Sequence, residues 1–419
     1  MTALNLARKR LFHGYYVALV VFLSTGLSIG MAQYSFGEFA GPLQERFGWS
    51  QTQLNLSLSF AFISGLTAPF IGNLSDRFGT RPVIFVSLLL IALGFALRPL
   101  ISELWHWYLF SALVYAGFPG ATVLPAGKMV GIWFPETRGR VMGAVTAGNN
   151  FGGVTMPPFA AAIIAAASWE AAYVGFAIIM ATLAMLALFV IRESEADVES
   201  ERLRTGRSAL PPGSRTSAKG LTVRLALRER SFWLVIFGLT SATFTYQGVL
   251  TQLRQHFGEN GFEPAAATAG VTIIAAMGIG SKLVFGRATE RFSARKATAV
   301  SLAFQAAGVA LMIAPGGVPV MWAGIFVYAL GFGGLGALLV LAVQETFGHR
   351  EFGSIMGLFQ FFQIASFAGG PALAGAIHDR YGSFDGAFAI IIGIYVAGIV
   401  SLLAARQPKW PETGRLNAN

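Results

Sequence analysis

The stretch Gly72-Asn-Leu-Ser-Asp76-Arg77-Phe78-Gly-Thr-Arg81 returns later in the chain as Gly286-Arg-Ala-Thr-Glu290-Arg291-Phe292-Ser-Ala-Arg295. The two copies lie 214 residues apart and share a glycine, an acid, two arginines and a phenylalanine. The same offset relates three further sites, namely Gly139, Met142-Gly143 and Pro157, to Gly353, Met356-Gly357 and Pro371. One offset that recurs at separate places predicts a chain built from two similar halves.

The residues around both copies form long apolar runs. Hydrophobic residues make up 54% of the 419-residue chain and charged residues only 12%, against about 25% charged residues in soluble domains. A helix needs roughly 20 apolar residues to cross the hydrocarbon. The first half contains such runs near 15–37, 53–72, 83–101, 106–130, 141–165 and 171–191. The second half contains them near 231–253, 266–286, 297–315, 319–343, 354–377 and 385–405. The sequence therefore predicts an all-α membrane protein of twelve transmembrane helices, arranged as two parallel six-helix repeats.

A polar segment separates the halves. Residues 192–230 open with a mixed-charge run and contain Pro211-Pro212-Gly213, which is typical of a mostly disordered linker, with a short interfacial helix predicted near 221–229. We therefore expect an N-terminal bundle over 1–191, a cytoplasmic linker over 192–230, and a C-terminal bundle with a short tail over 231–419. The first apolar run is too long for a signal-peptide core, so we expect it to be retained as an anchor.

The net charge of +10 is explained by topology. If both termini are cytoplasmic, all but four of the 30 Lys and Arg residues fall on the inner side; the four are Arg46, Arg98, Arg254 and Arg380. This is the positive-inside pattern. It predicts a multi-pass protein of the cell inner (plasma) membrane whose surroundings are lipid, and it gives no indication of a nucleic-acid partner.

The predicted spans contain few residues of the types that catalyse reactions or bind metals. The chain has no cysteine and five well-separated histidines, so neither a thiolate nucleophile nor a metal-ligand cluster is predicted. No nucleophile–base set lies inside the spans, and the longest polar segment is the 39-residue linker. We therefore expect neither an enzyme, nor a receptor with a soluble output domain, nor a resident cofactor.

The segment Gly72–Pro82 resembles the loop between helices 2 and 3 of the major facilitator superfamily, and the resemblance extends over about residues 14–405. Further motifs are most similar to the monocarboxylate porters, with the oxalate–formate exchangers close behind. These motifs are Ser35-Phe-Gly-Glu-Phe, Phe47-Gly-Trp-Ser, Trp133-Phe-Pro-Glu-Thr-Arg-Gly-Arg, Gly369-Gly-Pro and Asp379-Arg-Tyr-Gly-Ser. The resemblance implies a monomeric carrier that moves a small organic anion by alternating access, with its substrate site between the halves.

The resemblance also implies a cytoplasmic gate. The acid at Asp76 is expected to meet the start of helix 11, near Phe352–Gly353, where the helix dipole favours an anion. The alternative is that the arginines of this region only enforce topology. The expected gate residues are Gly72, Asp76, Arg77, Gly79, Arg81, Arg138, Arg140, Glu290 and Arg291.

Two lysines lie inside apolar runs, where an ionisable group is costly and needs a reason. Lys282 is four residues ahead of Gly286, and in monocarboxylate porters an arginine at that distance from the matching glycine binds the substrate carboxylate. The alternative is that Lys282 extends to the cytoplasmic surface, which is only about 6 Å away along the helix. Lys128 offers the same two interpretations, as a second anion contact or as a lysine that reaches the surface.

Polar and aromatic side chains in the spans complete the expected cavity. They are Gln33, Tyr34, Tyr115, Asn149, Tyr246, Gln247, Tyr328, Gln360 and Gln363. The porters often carry an acid one turn before the arginine, but this chain has Gly278 there, so a coupled proton would have to travel on Lys282 or on the substrate. The expected substrate is a monocarboxylate such as lactate or pyruvate. Exchange of dicarboxylate or formate, and export of an amphipathic drug or metabolite through a cavity lined by some of the 36 Phe, remain the alternatives.

Overall fold

The computed structural model describes residues 12–193, 199, 220–408 and 410, and every structural statement below concerns this part of the chain. Its regular elements are all helical, and the pairing of Gly220 with Gly348 is an isolated bridge. The prediction of an all-α protein is therefore confirmed. The remaining positions of the linker, 194–198 and 200–219, lie outside the described residues.

Six of the predicted spans precede the linker. The first is α1 (His13–Ile29), which continues through a π turn (Gly30–Tyr34) into α2 (Phe36–Phe47). The second joins α3 (Gln51–Ser59) to α4 (Ala61–Phe78), and the third is α5 (Thr80–Ala96). The others are α6 (Leu104–Ala121) with α7 (Val123–Trp133), α8 (Arg138–Thr146) with α9 (Gly148–Ala166), and α10 (Trp169–Val190).

Six more follow. A short helix, α11 (Val223–Arg228), occupies the place of the predicted interfacial helix. Then come α12 (Arg230–Glu259), α13 (Pro264–Ala288) and α14 (Ala294–Met312). The last are α15 (Gly317–Phe332) with α16 (Leu335–Phe347), α17 (Phe352–Tyr381) and α18 (Asp385–Ala404).

Ten of the described helical stretches are long and apolar enough to cross a membrane. The two other predicted spans are helical as well, but the first is divided at Ala147 into α8 and α9. The second, α14, begins with Arg295 and Lys296, which lower its hydropathy. All twelve predicted spans thus correspond to helices.

Glycine controls the local geometry where helices turn or meet. Gly79 has a φ of 88°, a conformation that a residue with a Cβ rarely adopts, and it separates α4 from α5. A Cβ at Gly72 would collide with the carbonyl oxygen of Gly353, and one at Gly139 with that of Gly286. These close approaches join helices of different halves: α4 meets α17, and α8 meets α13.

Candidate substrate site and inner gate

The paired glycines Gly72, Gly353, Gly139 and Gly286 lie at one end of the helices, together with residues 79, 137 and 349. We call this the inner end, and the positive-inside pattern predicts that it faces the cytoplasm. The contacts described here between the N-terminal half (12–193) and the C-terminal half (220–408) run from this end to about the level of Gly65 and Ala275. At a greater distance from it, Tyr34 is 54% exposed. The two halves are thus in contact near the inner end, and a polar side chain is exposed farther from that end. This arrangement is expected for a carrier whose cavity opens to the outer side.

The first junction between the halves is formed by α4 and α17. The Asp76 carboxylate accepts hydrogen bonds from the backbone N–H groups of Gly353 at 3.1 Å and Ser354 at 2.7 Å, and from the Ser354 hydroxyl at 2.8 Å. Its side chain is only 7% exposed. An anion that fills the unpaired N–H groups at a helix start is favoured by hydrogen bonding and by the helix dipole. Asp76 therefore contacts the start of α17, the place that the family resemblance implies for it.

Lys128 lies behind Asp76. Its ammonium is 2.7 Å from Glu193 Oε1 and 3.9 Å from Asp76 Oδ1, and it donates to the carbonyl of Ser75 at 2.7 Å. The other Glu193 oxygen accepts from the backbone N–H of Thr80, at the start of α5. Lys128 is thus directed to an acidic cluster at the inner end, and the structure does not bring it beside Lys282.

The second junction, between α8 and α13, repeats the first at the 214-residue offset. Glu290 stands at the position equivalent to Asp76, and Arg140 at the position equivalent to Ser354. Glu290 accepts from the Arg140 backbone N–H at 3.2 Å and from its guanidinium at 2.9 Å. The Arg140 side chain is 48% exposed. The repeat seen in the sequence is therefore present as pseudo-symmetric contacts.

The remaining gate candidates differ in their surroundings. Arg77, Arg81 and Arg291 are exposed at the inner end. Arg138 lies near His349, whose pKa is lowered to about 4 by burial and by the Arg138 guanidinium. The His349 ring lies against Gly131 of the opposite half.

Lys282 makes the central polar contact between the halves. Its ammonium donates to the carbonyl of Thr146 at 3.2 Å and to the side-chain oxygen of Asn150. Its own backbone packs against Gly143, and Asn150 lies seven residues beyond Gly143, about 10 Å farther from the inner end. The side chain is thus directed away from the inner loops. No described carboxylate lies within ion-pair distance of it.

Some of the other cavity candidates lie around this contact. The Tyr34 ring packs against Gly153, one turn beyond Asn150. Gln33 is exposed, whereas Tyr246, Gln247, Asn149 and Gln360 are partly buried. The amide oxygens of Asn149 and Gln360 are buried without a hydrogen-bond partner in the described part of the chain.

Three candidates lie inside the bundles. Tyr115 is 3% exposed among the helices of the N-terminal half, and Tyr328 is 0% exposed in the C-terminal half. Gln363 donates to the Thr243 hydroxyl at 2.9 Å and so joins α17 to α12. These side chains reinforce the packing of each half, and the structure does not group them with Lys282.

Comparison with known families identifies the family to which this architecture belongs. The family model described as Major Facilitator Superfamily matches residues 18–369 and 279–417. The chain belongs to the major facilitator superfamily. Its members are transporters rather than enzymes, so this chain is a multi-pass membrane transporter, and the fold predicted from the sequence is confirmed.

Individual superfamily relatives differ in what they carry. The chain is 30% identical to the class C tetracycline resistance protein of Escherichia coli, over 84% of this chain and 86% of that protein. It is 24% identical to the hexuronate transporter of Bacillus subtilis, over 93% and 94% of the two chains. It is 25% identical to human monocarboxylate transporter 11, over 92% and 81%.

Solved structures of the superfamily share the fold. The proton:xylose symporter XylE superposes with a TM-score of 0.73 at 15% identity, over 93% of this chain and 95% of that one. The human organic anion transporter MFSD10 superposes with a TM-score of 0.67 at 18% identity, over 93% and 99%.

The sequence does not by itself point to two residues of this major facilitator site, Asn150 and Glu193. Asn150 accepts from Lys282, whereas the predicted cavity residue is its neighbour Asn149. Positions 143, 146 and 150 share one face of a helix because they are separated by three and four residues, and this face carries Gly143, which packs on Lys282. The periodicity could therefore have identified Asn150. Glu193 lies just beyond α10 at the edge of the linker, and no local pattern connected it to Lys128.

Proposed function

We propose that this transporter carries a small organic anion, a monocarboxylate such as lactate or pyruvate, by alternating access, and that Lys282 contacts the substrate carboxylate. The observation that supports this is the direction of the Lys282 ammonium, away from the inner loops and towards Asn150 of the other half. A lysine that only served to reach the cytoplasmic surface would extend the other way. A part-buried cation inside a membrane span is costly without an anionic partner.

The repeat gives a second argument. The position equivalent to Lys282 is Ala68, and the one equivalent to Asn150 is Ile364. Gly357 packs on the carbonyl of Ala68 just as Gly143 packs on that of Lys282. At this level the first junction therefore carries apolar side chains where the second carries Lys282 and Asn150. Since the backbone contact needs no charge, we infer that the lysine serves the substrate rather than the fold.

In the proposed cycle, an anion enters from the outer side and pairs with Lys282. Binding neutralises the ammonium and favours states in which the halves close around it, because a ligand shifts a conformational equilibrium by its differential affinity. The inner end then opens when the Asp76 and Glu290 junctions separate. A coupled proton, where one is moved, travels on Lys282 or on the substrate carboxyl. Exchange of dicarboxylate or formate uses the same cation.

The test is uptake into liposomes. The purified protein is reconstituted, an inside-alkaline pH gradient is imposed, and uptake of labelled lactate, pyruvate and acetate is measured. We expect Lys282→Ala to lower uptake at least about tenfold, since a hydrogen bond to a charged group contributes about 1.5–3 kcal/mol. Lys296→Ala is the matched control, because Lys296 is exposed at the start of α14. If wild type moves none of the three anions, with or without the gradient, the monocarboxylate assignment is wrong.

A second candidate is export of an amphipathic drug or metabolite. It is supported by the 30% identity to a tetracycline resistance protein over most of both chains. Expression in a drug-sensitive host separates the two functions. Drug export predicts resistance that the Lys282→Ala variant retains, whereas anion transport predicts no resistance and full dependence on Lys282.

A further inference from the structure

Resting on the proposed function, we propose that Asn150 is a specificity-determining residue of the anion site. In the empty carrier its amide oxygen holds the position on Lys282 that a carboxylate oxygen of the substrate takes. When the substrate binds, the Asn150 amide donates to the second carboxylate oxygen. The N-terminal half would then recognise the anion through Asn150, and the C-terminal half through Lys282.

The geometry around Asn150 supports this exchange. Its side-chain oxygen accepts from the Lys282 ammonium, and its side-chain nitrogen donates to the carbonyl of Ala275 at 3.3 Å, so the amide bridges α9 to α13 at both of its ends. The Ala275 contact is long and is a weak hydrogen bond. An amide held at one end by a weak bond can turn and present its N–H group to a ligand at little cost.

The chemistry of a carboxylate requires such a second group. A lysine ammonium is a point charge that satisfies one carboxylate oxygen well, whereas an arginine fork would satisfy both. Lys282 with the Asn150 amide provides two donors from two helices. Because Tyr34 packs on Gly153, one turn farther along α9, a phenol stands at the edge of the same site, where it can contact the rest of a small substrate.

The absence of cysteine from the chain allows a clean reporter of the inner end. Val340 is 0% exposed and packs against Gly127 of the other half, so a Val340→Cys reporter reacts with a maleimide only when the halves separate there. Asn150→Asp replaces the side-chain amide by a carboxylate of nearly the same shape. This carboxylate lies beside the Lys282 ammonium whether or not substrate is present. Asn55→Asp, at an exposed site in α3, is the control for adding an acid.

Labelling rates are measured in wild type, Asn150→Asp, Asn150→Ala and Asn55→Asp, with and without pyruvate. Without pyruvate, we expect labelling about tenfold slower in Asn150→Asp, because an ion pair replaces a neutral contact between the halves, and faster in Asn150→Ala. Pyruvate should change the labelling of wild type and Asn55→Asp but not that of Asn150→Asp, in which an acid already occupies the ammonium.

Each outcome decides the proposal. Labelling of Asn150→Asp at the wild-type rate without pyruvate, or a pyruvate response with the wild-type midpoint, would overturn it. A slower Asn150→Asp together with a wild type that ignores pyruvate supports the Lys282–Asn150 pairing. The same result would count against the monocarboxylate function, so failure of that function and failure of the Asn150 proposal give different outcomes.

Discussion

The two junctions of the inner end come from the same repeat, yet they hold their acids differently. Asp76 is 7% exposed and accepts three hydrogen bonds from the first residues of α17. Glu290 is 16% exposed and depends on Arg140, whose side chain is 48% exposed. A buried carboxylate that accepts hydrogen bonds from fixed backbone donors stabilises a junction strongly. An ion pair open to water contributes little to its stability.

The junctions also differ nearer the membrane centre. The α4–α17 junction is apolar there, with Ile364 against Gly65, while the junction of α8 and α9 with α13 carries the Lys282–Asn150 contact. The firmly held acid and the apolar contact are thus on one side, and the weaker acid and the substrate candidate on the other. We infer that the first junction sets how stable the closed inner end is, and that the second adjusts it when an anion binds.

The largest effect is expected at the first junction. Asp76→Asn replaces a carboxylate by an amide whose nitrogen cannot accept, so at least one donor of α17 loses its partner. We expect the closed inner end to lose about 3 kcal/mol, as when one partner of a buried charged contact is removed. Labelling of the Val340→Cys reporter should rise more than tenfold. Asp379→Asn, with its acid 86% exposed, should label like wild type, and equal rates in both variants would contradict the interpretation.

A smaller effect is expected at the second junction. Glu290→Gln removes the ion pair to Arg140 but keeps an oxygen for the Arg140 backbone N–H, so the loss should stay below about 1 kcal/mol. High salt screens exposed pairs, and labelling of wild type should therefore approach that of the variant as salt is raised. An effect as large as that of Asp76→Asn, or one independent of salt, would mean that the junctions are equivalent.

The sequence predicted much of this architecture because hydrophobic runs and the positive-inside pattern act locally along the chain. The glycines that the 214-residue offset relates lie at the two junctions, but the sequence did not indicate that Gly72 approaches Gly353 and that Gly139 approaches Gly286. Asp76 was placed correctly at the start of α17 on the basis of a family resemblance. The division into bundles and the roles of the site residues stay predictions.

Side-chain direction could not be read from the sequence. The direction of the Lys282 side chain, towards the inner end or away from it, depends on which residues of α8 and α9 face it across the interface. Those residues are brought there by packing between elements far apart in the chain. The same limit applies to Tyr115 and Tyr328. The sequence does not distinguish them from Tyr34, but their side chains are buried inside the bundles. Helical periodicity fixes a face only when the neighbouring helix is known.

The last effect concerns pH at the loop between α16 and α17. Burial, together with the Arg138 guanidinium, lowers the pKa of His349 from 6.5 to about 4, so His349 is neutral while its ring is packed against Gly131. Separation of the halves would return the pKa towards 6.5. The closed inner end therefore has its full stability above about pH 6.5 and loses it as the pH falls towards 4.

We expect labelling of the Val340→Cys reporter, normalised to the unfolded protein at each pH, to rise by up to about 25-fold between about pH 7.5 and about pH 5. His349→Gln should remove this rise, because glutamine does not titrate. His378→Gln changes a histidine paired with Glu259 at the far end of α17 and should leave the rise intact. If the His349→Gln variant keeps the wild-type pH profile, His349 is not the group through which the inner end responds to protons.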